Sequence, residues 1–144
     1  MKISFFVQGI PKPHGIGARA IVSKKFGRPI ALVYDQSHGR DWKRTVRAEA
    51  EKHKPATLLA GPINLSLTFY MPVVKSFSKK RKAKIEAGEI ILHEKKPDRT
   101  ALLRAVEDAL TGIIWRDDSQ VADGPVRKQY GDPPGCLVEV ETIE

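Results

Sequence analysis

KKPDRTALLRAVEDALTGIIWRDDSQV, residues 95–121, places one acidic residue ahead of a helical pattern, a basic residue one turn in, and an acidic pair after a short return. Thr100 is a good N-cap residue type, and Leu102, Leu103, Val106, Ala109 and Leu110 recur at helical spacing to give one apolar face. Gly112 stands where a C′ glycine ends a helix. The opposite face carries Thr100, Arg104, Glu107, Asp108 and Thr111. A helix of about twelve residues spans about 18 Å. Residues 112–118, if extended, cover about 23 Å, enough to run back along it. Asp117 and Asp118 are therefore within reach of the end that holds Asp98 and Arg104.

Carboxylates meeting beside a basic residue form an arrangement that binds Mg²⁺, which keeps several waters and takes one or two protein carboxylates plus phosphate oxygens. Such a centre activates water and neutralises charge on a phosphodiester. Arg104 then serves to steady the phosphate or the departing oxygen. The same residues admit a plainer reading. Asp98 favours a helix N-terminus by its charge alone, and Asp117-Asp118-Ser119 makes an ordinary solvated turn.

The succession Lys-Pro-Asp, LLRAVEDALTG, an aromatic residue and Asp-Asp-Ser-Gln-Val resembles the RusA family of Holliday junction resolvases. The opening strand followed by a Gly-x-Pro loop is similar to the family's start, and the later elements follow in a similar order. The resemblance implies a small homodimeric endodeoxyribonuclease of recombination and repair, frequent in phages and prophages. It implies cutting of branched DNA, the four-way junction, with Mg²⁺ or Mn²⁺ and no small-molecule cofactor. Carried over residue by residue, the first catalytic carboxylate falls on Asp98 and the helix lysine on Arg104. The acidic pair falls on Asp117 and Asp118, of which the second is catalytic. The implied metal ligands are Asp98, Asp118 and Asp117. The family's usual second carboxylate falls on Thr100, and its usual Asn on Ala101. One acidic ligand is thus replaced by a hydroxyl, which attracts a cation less, and a lysine by an arginine of different shape.

Composition bounds the partner. The 144 residues carry a net charge of +8, and the pI near 9.7 points to a polyanion. The charge is clustered: Lys75, Lys79, Lys80, Arg81, Lys82 and Lys84 lie close together, and Lys95, Lys96 and Arg99 follow. Lys12 and Arg19 belong to a Pro/Gly-rich loop, PKPHGIGAR. These residues, Lys75 and Lys84 aside, are the expected phosphate contacts. A solvated helix face and a simple connector are the competing readings of the two stretches. No run approaches the ~18 apolar residues of a membrane span. The N-terminal apolar run is too short for a secretory signal, and a cytoplasmic location is expected. The single Cys136 excludes an internal disulfide and reads as a small buried hydrophobe.

The chain reads as a single α+β domain over residues 1–144, a two-layer sandwich of a mixed, mainly antiparallel sheet with helices on one side. Residues 2–9 form a first strand whose two apolar faces suit an interior position. A strand pair is expected at 19–23 and 29–34, joined near Gly27, and then a helix over 37–53 with Trp42 as a core anchor and a basic outer face of Arg40, Lys43, Arg44 and Arg47. INLSLTFYM, residues 63–71, alternates strictly and is a strand. A basic surface helix follows over 78–88, packed down by Ile90, Ile91 and Leu92. Strands at 126–130 and 136–143 close the chain. Three functions fit: a metal-dependent junction endonuclease, a junction-binding protein of weakened catalysis, and a general basic nucleic-acid-binding module.

Overall fold

The computed structural model describes residues 1–13, 16–22, 29–35 and 37–143. Its elements run β1 (Lys2–Gln8), β2 (Ile16–Val22), β3 (Pro29–Asp35), α1 (Ser37–Glu51), β4 (Ile63–Met71), α2 (Lys79–Glu86), α3 (Arg99–Leu110), a 3-10 turn (Asp118–Gln120), β5 (Val121–Asp123), β6 (Val126–Tyr130) and β7 (Gly135–Thr142). Period-2 alternation is what builds the sheet. Ile63, Leu65, Leu67, Phe69 and Met71 of β4 are all buried while the residues between them are half-buried. Ile3, Phe5 and Val7 of β1 and Val138 and Val140 of β7 join the same apolar layer. Full burial of such side chains contributes about 1.5–3 kcal/mol each.

The sheet is mixed. β1 pairs antiparallel with β7, and β7 antiparallel with β4. On its other edge β4 pairs in parallel, first with β5 and then with β6. Helices α1 and α3 pack on each other and cover one sheet face, α1 against β1 and α3 against β6. Trp42, Val46 and Ala50 enter the core from α1, and Leu102, Ala105, Val106, Ala109 and Leu110 from α3. β2 and β3 form a separate antiparallel hairpin. This is the expected α+β architecture, and no helix among the described residues is long and apolar enough to cross a membrane.

Several local expectations are corrected. β1 is an edge strand rather than an interior one. Phe6 lies on the face away from α1 and α3, partly exposed, 6.1 Å from the Tyr70 ring and lining one pocket with Ile85 of α2. Ile90 and Leu92 are exposed, and Ile85 is the buried residue that seats α2. The basic face of α1 is partly consumed in packing. Lys43 pairs with Asp108 of α3 at 2.8 Å, and Arg47 donates to the Ala109 carbonyl at 3.3 Å. The expected join near Gly27, His14 and the side chain of Arg19 lie outside the described residues. Cys136 is fully buried, and burial pushes its thiol pKa far above the ordinary range.

One glycine is dictated by the sheet. Between β5 and β6, Gly124 has φ of 132°, and an added Cβ would collide with the Leu65 carbonyl of β4. Only a residue without a side chain lets the parallel edge step from β5 to β6 here.

Candidate active site

The site is organised by the two ends of the 95–121 stretch. At its start Asp98, not Thr100, is the N-cap of α3, with an extended backbone at φ −67° and ψ 144°. Thr100 lies within the first turn, exposed. An N-cap aspartate ordinarily turns its carboxylate onto the helix amides. Asp98 does not: its side chain makes no capping bond. It is 68% exposed and pairs with Lys96 at 3.2 Å. The carboxylate is thus held at the positive end of a helix, turned away from the helix amides and exposed beside an exposed lysine.

Asp98 lies on the wall of a groove of about 650 Å³, lined also by Lys12, Pro13, His93, Lys96 and Ala101. Lys12 of the N-terminal loop and Lys96 therefore share one surface with the carboxylate. His93 has a buried Nδ1 with no hydrogen-bond partner among the described residues, and its ring lies edge-on to Tyr130 at 5.1 Å. Desolvation lowers the pKa of His93, Lys128 and Lys95 lower it further, and Glu94 opposes them.

At the other end the chain does not run back extended. Gly112 (φ 88°) turns it at once, the Gly112 amide donates to the Trp115 carbonyl at 2.7 Å, and Ile113 and Ile114 both bond back to Leu110. Ile114 and Trp115 are fully buried. Burial of these two side chains, rather than an extended return, decides where the acidic pair emerges.

Asp117 and Asp118 then take different parts. Asp117 is the N-cap of the 3-10 turn and accepts from the Ser119 amide at 3.0 Å. That backbone hydrogen bond, with side-chain hydrogen bonding to Asp118 and Ser119, holds its pKa below the usual carboxylate range. Asp118 opens the turn, exposed. It acts electrostatically on half-buried Glu107, whose pKa is raised first by desolvation and then by Asp118, with Arg104 opposing. Asp118, Glu107 and Arg104 thus share one side of α3. Asp98 stands about 13 Å along the helix axis from Glu107. Among the described residues no three His, Cys, Asp or Glu side chains gather as a metal cage.

Two residues the sequence reading missed hold this geometry. The amide of Gln120 accepts from the Arg116 and Asp117 amides at 3.0 Å each. It donates to the carbonyls of Leu59 at 2.9 Å and Gly61 at 3.0 Å. The glutamine of the DDSQV motif is therefore the staple that fixes the acidic turn to the segment before β4. Its place in the motif was the available signal. Lys128 of β6 donates to the carbonyls of Lys95 and Pro97, each at 2.8 Å. Its pKa is lowered by desolvation, with Asp98 raising it and Lys96 lowering it. Nothing local in the sequence marks it, because its partners lie 33 and 31 residues away.

The basic residues divide likewise. Lys79 and Lys80 of α2 are exposed. The Arg81 guanidinium is stacked over Phe77 at 4.1 Å and reaches Tyr130 at 5.7 Å. Lys82 donates to the Lys75 carbonyl at 3.0 Å, and Arg99 to the Val126 carbonyl at 3.4 Å. Phe77 packs edge-on to Tyr130 at 4.9 Å. Tyr130 thus joins the basic helix to His93 and the groove.

Mg²⁺ asks for one or two carboxylates, with waters and phosphate oxygens completing its shell. Asp98 and Asp118 are exposed carboxylates of the kind that demand names, the first ion-paired with Lys96 and the second hydrogen-bonded to Asp117, whereas Asp117 caps the 3-10 turn. The chain is 33% identical over 143 residues to an uncharacterized protein, YqaN, of Bacillus subtilis (strain 168), covering 98% of this chain and 96% of the relative. The family of endodeoxyribonuclease RusA matches residues 12–141, nearly the whole length and both halves of the acidic site. By that span and those residues, the chain belongs to the RusA endodeoxyribonuclease family.

Proposed function

We propose that this protein is a divalent-metal-dependent endodeoxyribonuclease that resolves four-way DNA junctions by paired, symmetric nicks in recombination and repair. The observation that carries the reading is Asp98. It is an uncapped N-terminal carboxylate on a lysine-lined groove, in a chain whose family cuts DNA.

Asp98 and Asp118 would hold Mg²⁺, or Mn²⁺ in its place. The bound metal supplies charge neutralisation on the phosphodiester and a more acidic water. The chain's own residues supply the positioning. Arg104, exposed on the same helix side as Glu107, offers a fork of donors to a phosphate oxygen. Lys12 and Lys96 hold the strand along the groove, and Lys79 and Lys80 hold a neighbouring duplex arm by charge. Asp117 keeps Asp118 in place through the 3-10 turn, and Thr100 stands where a second carboxylate would. Water is the nucleophile, leaving 5′-phosphate and 3′-hydroxyl ends. Two symmetric nicks call for two copies related by a two-fold axis, hence a homodimer.

A second reading is a junction-binding protein of weakened catalysis, favoured by Thr100 and by the lack of a three-carboxylate group among the described residues. Junction binding and nicking measured side by side decide between the two. Nicks abolished by Asp98→Asn support the nuclease. Tight binding with no nicks in wild type supports the binder.

A further inference from the structure

The segment that delivers Asp98 is sewn to β6 in two stages. Backbone bonds hold its first part, Tyr130 amide to Ile91 carbonyl at 2.9 Å and His93 amide to Lys128 carbonyl at 3.0 Å. Nearer the carboxylate a side chain takes over. The Lys128 ammonium has three protons, and two of them reach the carbonyls of Lys95 and Pro97 at 2.8 Å each. These carbonyls flank Lys96, and Pro97 immediately precedes Asp98. Both bonds are charge-assisted, the strong kind. One cation rooted in the sheet therefore closes the turn from which Asp98 projects.

We propose that Lys128 is the positioning residue of the Asp98 carboxylate: it fixes the backbone ahead of Asp98 and so sets the carboxylate's place for metal. The inference rests on the metal-dependent reading above. It differs from a phosphate-binding role, because two of the three donors are already spent on the protein itself. It also differs from a role in general stability, because the bonds converge on a single turn.

The test uses the full chain and three readouts: Mn²⁺ broadening of the Asp98 and Arg99 amide signals, steady-state nicking of a four-way junction, and junction affinity. Lys128→Met should raise the Mn²⁺ concentration for half-broadening about tenfold or more and lower kcat about 10- to 100-fold, the range for residues that orient metal ligands. KM and junction Kd should stay within about threefold. Lys128→Arg, which keeps the charge but not the compact donor, should recover part of both losses. Should Lys128→Met fail to fold, Lys128→Arg is read alone, with an expected intermediate loss in kcat and in Mn²⁺ response. Metal response and kcat both within threefold of wild type would overturn the assignment. So would a weaker junction Kd with kcat unchanged, which would make Lys128 a phosphate contact. A wild type that nicks nothing refutes the nuclease reading, and the Mn²⁺ titration then still decides the role of Lys128.

Discussion

The side-chain amide of Gln120 donates to the Leu59 carbonyl at 2.9 Å, joining the acidic turn to the segment that leads into β4. Three further hydrogen bonds of the same side chain, to Gly61, Arg116 and Asp117, make it the hub on which Asp118 depends.

Gln120→Ala should therefore lower stability by about 2–4 kcal/mol, four modest hydrogen bonds lost with their partners left behind. Gln120→Glu should be poorly tolerated as well, because a carboxylate cannot donate to the two carbonyls. Denaturant unfolding measures both, and nicking should fall along with the ordering of Asp118. Wild-type stability in either variant would remove the hub.

Asp117 and Asp118 should separate under conservative substitution. Asn caps a turn about as well as Asp, so Asp117→Asn should keep nicking within about threefold. Asp118→Asn should lose it by about 100-fold or more, at or beyond the top of the range for residues that only orient metal ligands, as the proposed ligand role requires. Equal losses in the two variants would place Asp117 in the metal shell.

The step from β5 to β6 should tolerate no side chain. Gly124→Ala meets both an unfavourable φ and the Leu65 backbone, and should cost at least about 2 kcal/mol. Thermal unfolding reports it, and an unchanged midpoint would contradict the register described for this edge.

His93 should remain neutral to a lower pH than a free imidazole, because desolvation and the nearby lysines oppose its protonation. A group whose folded pKa is depressed contributes stability present above its unfolded value, here 6.5, and lost as pH falls below it. Imidazole NMR titration should give a midpoint under 6.5. A midpoint above that value would mean the ring is paired with a carboxylate.

Much of the fold was legible because its signals are local. The alternation of residues 63–71 and the 3.6-residue period after Asp98 match β4 and α3 closely. Gly112 ends the helix region at positive φ as its residue type suggested. What escaped was decided by distant contacts. Thr100 looked like the cap because of its residue type, yet the helix begins one residue after Asp98, whose side chain makes no cap bond to advertise the boundary. The return from Gly112 was read as extended, whereas burial of Ile114 and Trp115 folds it tightly. Parallel pairing of β4 with β6 follows from a crossover through α3, which no turn motif announces. Of the site, Asp98, Arg104 and the acidic pair were visible by pattern. Lys128 was not, because its role exists only once β6 lies beside Lys95 and Pro97.

The most direct measurement is cleavage of an end-labelled mobile four-way junction with Mg²⁺ by wild type, Asp98→Asn and Thr100→Asp. The account predicts paired nicks at symmetric positions in wild type and their loss in Asp98→Asn. Tight junction binding without nicks in wild type, with nicking gained in Thr100→Asp, would contradict it and identify a fold kept for binding after its metal site had weakened.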